Sequence, residues 1–80
     1  AVRVWFENGC VGEVHSHPHS QVTMIESGKF EVQIDDEKQV LVAGDSTYIA
    51  PDLDHGIVCV ESGSLIDTFS PVPPQVQASR

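Results

Sequence analysis

Residues 9–28 read GCVGEVHSHPHSQVTMIESG, and the middle of this stretch decides the fold. Every second position there carries a side chain that can bind a metal: His15, His17, His19 and Gln21. On a β-strand, residues two apart point to the same face, so the spacing predicts a strand that projects imidazoles and one amide to one side. Buried imidazoles without partners would cost free energy, and a metal ion would remove that cost by taking their lone pairs. The alternative is a solvent-exposed, His-rich loop, which Pro18 within the row favours.

A hydrophobic period of two also marks other parts of the chain, among them residues 2–6, 30–34 and 65–69. Turn-forming pairs such as Asn8-Gly9 and Ser27-Gly28 separate the apolar runs at short intervals. No stretch shows a helical stripe, so the sequence predicts an all-β sandwich or barrel. Three large side chains are expected to lie in the core or to line a cavity: Trp5, Met24 and Tyr48.

The chain of 80 residues is long enough for one domain and no more. We predict that residues 1–70 form the β-barrel domain. Pro71, Pro73 and Pro74 remove backbone donors and fix φ, so residues 71–80 are predicted to form a Pro-rich C-terminal arm. Because the chain begins with Ala1 rather than with methionine, we expect it to be part of a slightly longer protein.

Charge and composition argue against several classes of partner. The net charge is −8 and only four residues are Lys or Arg, so no basic surface is available for nucleic acid or for an anionic membrane. No apolar run approaches the length that spans a bilayer. Cys10 and Cys59 do not form the dense disulfide framework of small secreted proteins, and a cytoplasmic location is therefore predicted.

The histidine row, the glycines around it and a fourth histidine resemble the two sequence motifs of the cupin superfamily. The first motif is matched by Gly9, His15, His17, Gln21 and Gly28, with Gln in place of the family's Glu. The second motif is matched in part, by Gly44 and His55. The resemblance extends over residues 9–69 and implies a cupin double-stranded β-helix, an RmlC-like jelly-roll barrel.

A narrower resemblance is to the pectin-degradation subgroup of small cupins, which carry a similar His-Ser-His-Pro-His run followed by Gln. This resemblance implies one divalent metal ion (Ni, Zn, Mn or Fe) held by four ligands: His15, His17, Gln21 and His55. It implies catalytic positions at Asp67 and Phe69, and the conversion of a 4,5-unsaturated uronate to a linear keto sugar acid. An arginine of the subgroup is absent here, because residues 72–74 read VPP and only Arg80 follows.

Three functions stay open at this point. The first is an enzyme acting on a small sugar acid, the second is a cupin dioxygenase, and the third is a non-enzymatic small-molecule-binding domain, which the missing arginine favours. His19 is the second choice as a metal ligand and is otherwise expected at the mouth of the barrel. The resemblance to small cupins also implies a homodimer, since the open strand edges of so short a chain need covering.

Overall fold

The computed structural model describes residues 1–70. Their regular structure consists of eight strands and no helix, and so no helix there could cross a membrane. The strands are β1 (Val2–Phe6), β2 (Val11–His15), β3 (Gln21–Ile25), β4 (Lys29–Ile34), β5 (Glu37–Val42), β6 (Ser46–Ile49), β7 (His55–Glu61) and β8 (Gly63–Phe69). The predicted C-terminal arm, residues 71–80, lies outside the described residues.

The eight strands form two antiparallel sheets of four, in the orders β1-β8-β3-β6 and β2-β7-β4-β5. Consecutive strands therefore alternate between the sheets at several points, which is the eight-strand, two-sheet arrangement of a jelly roll. The prediction of an all-β jelly-roll barrel is confirmed.

The core lies between the two sheets and is made of alternate residues. Phe30 and Val32 of β4 are buried against Ile25 of β3 and Leu65 of β8. Fully burying side chains of this size contributes roughly 1.5–3 kcal/mol each to folding. The inward residues of β3 change from apolar Ile25 at one end to polar Gln21 at the other, so one end of the sandwich has an apolar interior and the opposite end a polar one.

Gly28, the last glycine of the first motif, lies where two turns touch. Its φ is +83°, and an added Cβ would lie 2.5 Å from the carbonyl oxygen of Glu61 and 2.6 Å from that of Ser62. Only glycine combines this conformation with so close an approach of backbone. Gly28 therefore allows the two turns to meet at the apolar end of the sandwich, which is the opposite end of β3 from the histidine row.

The structure differs from the sequence prediction in three respects. The histidine row is not one strand, because β2 ends at His15, β3 begins at Gln21, and residues 16–20 connect the two sheets. Strand β5 was not predicted, since most of its residues are exposed and carry no buried alternation. The expectation of a place in the core was wrong for three large side chains, which are 43–61% exposed, although Tyr48 lines a second, shallow cavity: Trp5, Met24 and Tyr48.

Candidate metal centre

A cavity of about 180 Å³ opens at the polar end of the sandwich. Both sheets contribute to its wall, with His15 and His55 from one sheet and Gln21, Asp67 and Phe69 from the other. Most of the remaining lining consists of apolar side chains of the core, with Glu13 and Thr23 as the polar exceptions. A pocket of this kind, apolar with a few convergent polar groups, is the usual form of a small-molecule or cofactor site.

A β-bulge in β2 places His15 opposite His55. Gly12 pairs with Ile57 and His15 pairs with His55, so two residues of β2 stand against the single Gly56 of β7. The extra residue turns the end of β2 and aims its last side chain into the cavity, as bulges beside functional sites commonly do. Without the bulge, Val14 would stand opposite His55 and His15 would point to the other face.

Three imidazoles converge at this point although they come from different parts of the chain. The rings of His15 and His55 are 4.4 Å apart, those of His17 and His55 4.7 Å, and those of His15 and His17 5.6 Å, measured between centroids. One ring nitrogen of each lies within 4.8 Å of those of the other two. Three neutral imidazoles at this separation can share one divalent ion.

The backbone selects which nitrogen of each ring faces the cavity. The Nδ1 atoms of His15, His17 and His55 lie 2.9, 2.8 and 3.0 Å from main-chain carbonyl oxygens of Glu13, His19 and Leu53. Since a carbonyl oxygen only accepts, each Nδ1 carries a proton, and in the neutral ring Nε2 then keeps a free lone pair. Metal-binding histidines are held by this type of outer hydrogen bond.

His55 gives the clearest indication that a group is to be bound. Its side chain is only 5% exposed, and its Nε2 atom is buried without a hydrogen-bond partner. Burial lowers the pKa of His55, and the neighbouring His15 and His17 lower it further, so the ring is neutral near pH 7. An unpartnered buried acceptor costs free energy, and a divalent ion would satisfy it; the donors present therefore fit a metal.

Gln21 directs its side-chain oxygen at the same place. Its amide nitrogen donates to Thr23 Oγ1 at 2.8 Å and to Asp67 Oδ1 at 3.0 Å, and its Oε1 lies 3.0 Å from His17 Nε2. When the His17 ring is neutral and its proton is on Nδ1, two acceptors face each other here. A cation between them would give both a partner, so Gln21 is geometrically suited to be a fourth ligand beside the three histidines.

Asp67 and Phe69 lie on β8, beside the ligand cluster. Asp67 pairs across the sheet with Thr23, whose hydroxyl donates to Asp67 Oδ1 at 2.7 Å. Phe69 is 41% exposed and presents its ring edge-on to those of His17 and His19, with centroids 5.9 and 5.1 Å away. The side chain of Asp67 thus reaches the floor of the cavity, and that of Phe69 its mouth.

His19 takes a different position from the other three histidines. Its ring is stacked on that of His17, with centroids 4.0 Å apart and planes at 2°, and it does not belong to the cluster of three.

Sequence reasoning missed Thr23, which is 3% exposed and touches both Gln21 and Asp67. Thr23 is the next residue in the alternation that runs from His15 through Gln21, so its place on the cavity side of β3 could have been predicted from the sequence.

Gly56 allows the bulge to form, and its replacement is expected to disturb the cluster. In Gly56→Ala, the new Cβ would lie 2.9 Å from Val14 Cγ2 and 3.3 Å from the carbonyl oxygen of Gly12, both on the bulged strand. We expect the free energy of unfolding to fall by roughly 1–3 kcal/mol, as in other overpacked sites. Displacement of His15 from His55 should also weaken metal binding about tenfold or more, measured by calorimetric titration.

Gly44→Ala is the matched control for that variant. Gly44 has a φ of +93° and open space around its Cα, so alanine there strains a distant turn without touching the bulge. Its folded form should bind metal as the unaltered chain does. Equal metal affinity in the Gly56 and Gly44 variants would contradict the role given to the bulge.

Comparison with known proteins places the fold and the site in context. A sequence profile described as the cupin domain matches residues 2–68. The pectin degradation protein KdgF of Dickeya dadantii strain 3937 is 44% identical over 72 residues, which are 88% of this chain and 66% of that protein. Among solved structures, an RmlC-like cupin from Shewanella frigidimarina NCIMB 400 is 48% identical with a TM-score of 0.84, over 91% of this chain and 66% of the other.

A second similar structure is that of KdgF from Halomonas sp., which is 35% identical with a TM-score of 0.78. The alignment covers 84% of this chain and 62% of that one. The present chain thus spans about two thirds of the length of these relatives.

Proposed function

This chain belongs to the cupin domain family, and from that premise we propose that it binds one divalent metal ion and acts on a small sugar acid. The proposed ligands are His15, His17, Gln21 and His55. The proposed reaction converts a 4,5-unsaturated uronate to a linear keto sugar acid. The resemblance of the histidine run to that of pectin-degradation cupins, and the similarity to two proteins named KdgF, support this substrate class.

The observation that carries the metal proposal is the buried, unpartnered Nε2 of His55 among three converging imidazoles. Those imidazoles come from two separate segments and are all held by their Nδ1 atoms. A site with three imidazoles and an amide keeps the full positive charge of its ion, which favours an anionic ligand such as a uronate. The net charge of −8 opposes this attraction only weakly, since salt screens charges more distant than about 10 Å.

The metal, when bound, would act as a Lewis acid that orients the substrate and polarises one of its oxygens. The residues of the chain would supply the rest. Oδ1 of Asp67 already accepts hydrogen bonds from Thr23 and Gln21, so Oδ2 is the atom that can take a proton from the substrate or return one. The ring of Phe69 would cover the sugar at the mouth of the cavity and exclude water.

A non-enzymatic small-molecule-binding domain is the second candidate, and one observation favours it. Residues 72–74 are Val-Pro-Pro, so the arginine that the pectin-degradation subgroup carries after the Ser-Pro pair is missing. Arginine is the natural bidentate partner of a substrate carboxylate. Without it the cavity could hold a small molecule through the metal and still turn it over slowly or not at all.

One set of measurements tests both candidates. Metal analysis of the purified protein should find about one divalent ion per chain. Mixing the loaded protein with a 4,5-unsaturated uronate should remove the ultraviolet absorbance of the double bond if the chain is the ring-opening enzyme. No loss of absorbance, with a rise in melting temperature on adding the uronate, would favour the binding domain. Oxygen uptake with the substrate would instead favour the dioxygenase considered from the sequence.

A homodimer is part of the proposal, and the outer face of the β1-β8-β3-β6 sheet supports it. Val22, Met24 and Tyr48 lie beside one another there and are 42%, 43% and 61% exposed, and apolar patches of this kind mark contact surfaces. We expect twice the chain mass in light scattering, and the mass of one chain for Met24→Lys. The variant Val40→Lys, a similar exposed change on β5 of the other sheet, should remain dimeric.

The cytoplasmic location stays a prediction.

A further inference from the structure

Thr23 lies on the floor of the cavity and is neither a proposed metal ligand nor the proposed proton carrier. It is 3% exposed, it follows Gln21 by two residues on β3, and it stands directly opposite Asp67 of β8. Its hydroxyl therefore lies between Gln21, a proposed metal ligand, and Asp67, the proposed proton carrier. The hydroxyl is 2.8 Å from the amide nitrogen of Gln21 and 2.7 Å from Asp67 Oδ1.

A hydroxyl has only one proton, and here its direction is determined by Asp67. A carboxylate oxygen accepts hydrogen bonds and does not donate them, so the Thr23 proton is directed at Asp67 Oδ1. The remaining lone pairs of the hydroxyl then require a donor on the other side. The amide nitrogen of Gln21 is that donor, and it also donates to Asp67 Oδ1 at 3.0 Å.

Without its hydrogen bonds to Thr23 and Asp67, the Gln21 amide would favour the opposite orientation in the metal-free protein. Rotation of the amide by half a turn would let its nitrogen donate to the free lone pair of His17 Nε2, which now faces Gln21 Oε1 at 3.0 Å. In the absence of a metal that rotated form would satisfy His17. It would also put the amide oxygen against Asp67 Oδ1 and would turn an N–H group toward the position that a metal needs.

We propose that Thr23 is a positioning residue, which together with Asp67 holds the Gln21 amide with its oxygen toward the metal. The inference rests on the proposed metal site and extends it to a residue outside the ligand set. Outer hydrogen bonds of this type orient ligands before the ion arrives, so that binding does not have to overcome the rotated form. Asp67 acts on the Gln21 amide in two ways, by accepting from its nitrogen directly and by orienting the Thr23 hydroxyl.

The test replaces Thr23 by residues of nearly equal size. Thr23→Val keeps the shape but removes the hydroxyl, and we expect the affinity for Zn²⁺ or Ni²⁺ to fall about 10- to 100-fold in calorimetric titration, as for other outer partners of metal ligands. Thr23→Ser keeps the hydroxyl and should restore most of the affinity. Thr47→Val makes the same chemical change at the residue that pairs with Thr23 from β6, outside this hydrogen-bond chain, and should leave the affinity unchanged.

A second measurement reads the amide directly. In the metal-free protein, the side-chain NH₂ signals of Gln21, assigned by their absence in Gln21→Glu, should be protected from hydrogen exchange and should lose this protection in Thr23→Val. A general loss of structure would alter many signals and would not be repaired by serine. Such a pattern, or weak metal binding in both Thr23 variants, would overturn the positioning role.

The two proposals fail in different ways. If the unaltered chain binds neither ion, the proposed metal site fails and the role of Thr23 fails with it. If the unaltered chain binds an ion and Thr23→Val binds it equally tightly, the metal site stands and the role of Thr23 is wrong.

Discussion

Replacing His55 with alanine is expected to reduce the affinity for a divalent metal by more than about 100-fold. Loss of an outer hydrogen-bond partner typically costs 10- to 100-fold, and the loss of a ligand should exceed that. His55 contributes the most buried of the three imidazoles and the one whose Nε2 has no other partner.

Thermal unfolding offers a convenient measurement of the same effect. An ion present at 100 times its dissociation constant stabilises the folded state by about 2.7 kcal/mol, which raises the melting temperature of a domain of this size by roughly 10–20 °C. The unaltered chain should show this rise on adding metal, and His55→Ala should show almost none.

His19→Ala is the matched control, since His19 belongs to the same histidine run but stands outside the cluster of three. Its removal should change the affinity by less than about tenfold, because the variant loses the ring stacked on His17 but keeps the main-chain oxygen that holds His17 Nδ1. The reverse result, with strong loss in His19→Ala and none in His55→Ala, would move the ligand role to the residue ranked second from the sequence.

Asp67→Asn is expected to reduce the turnover of a 4,5-unsaturated uronate about 100- to 10,000-fold, the usual contribution of a positioned acid or base. The amide of asparagine cannot exchange a proton at the place where Oδ2 stands. Its oxygen can still accept from Thr23 and Gln21, as Oδ1 of Asp67 does now. The defect should therefore fall on kcat, with metal affinity and melting temperature nearly unchanged.

Turnover and metal affinity, measured together, distinguish a proton-carrier role of Asp67 from a role in holding the metal ligands. Loss of turnover together with loss of metal would mean that Asp67 serves the site only by holding its ligands. Full turnover in Asp67→Asn would exclude the proton-carrier role. Phe69→Leu gives a useful comparison on the same strand, because it keeps an apolar cover over the mouth and should alter KM more than kcat.

Much of the site could be anticipated from the residues alone, although for a partly incorrect reason. The spacing of His15, His17 and Gln21 predicted side chains on one strand face. In the structure they are divided between β2, a connection and β3, and they meet because that connection joins the two sheets around the cavity. Pro18, which argued for a loop, was a correct local signal, yet the loop directs His17 inward.

Two further features could not be read from local sequence. The bulge opposite Gly56 changes the face to which His15 points, and a bulge is a property of how two strands distant in sequence pair. The exposure of Trp5 and Tyr48 depends on which face of β1 and β6 the second sheet covers. A period of two distinguishes the faces of a strand without telling which face is inside.

The sequence by itself determined the all-β class, the two motifs and the types of side chain available to a metal, because period and spacing are local properties of a chain. Only the tertiary structure decided that His55 lies directly opposite His15 on the neighbouring strand, that its Nε2 is left without a partner, and that the amide of Gln21 donates to Thr23 and Asp67. These relations depend on the register between strands distant in sequence. Register is determined by the packing of both sheets together and is not encoded in any single segment.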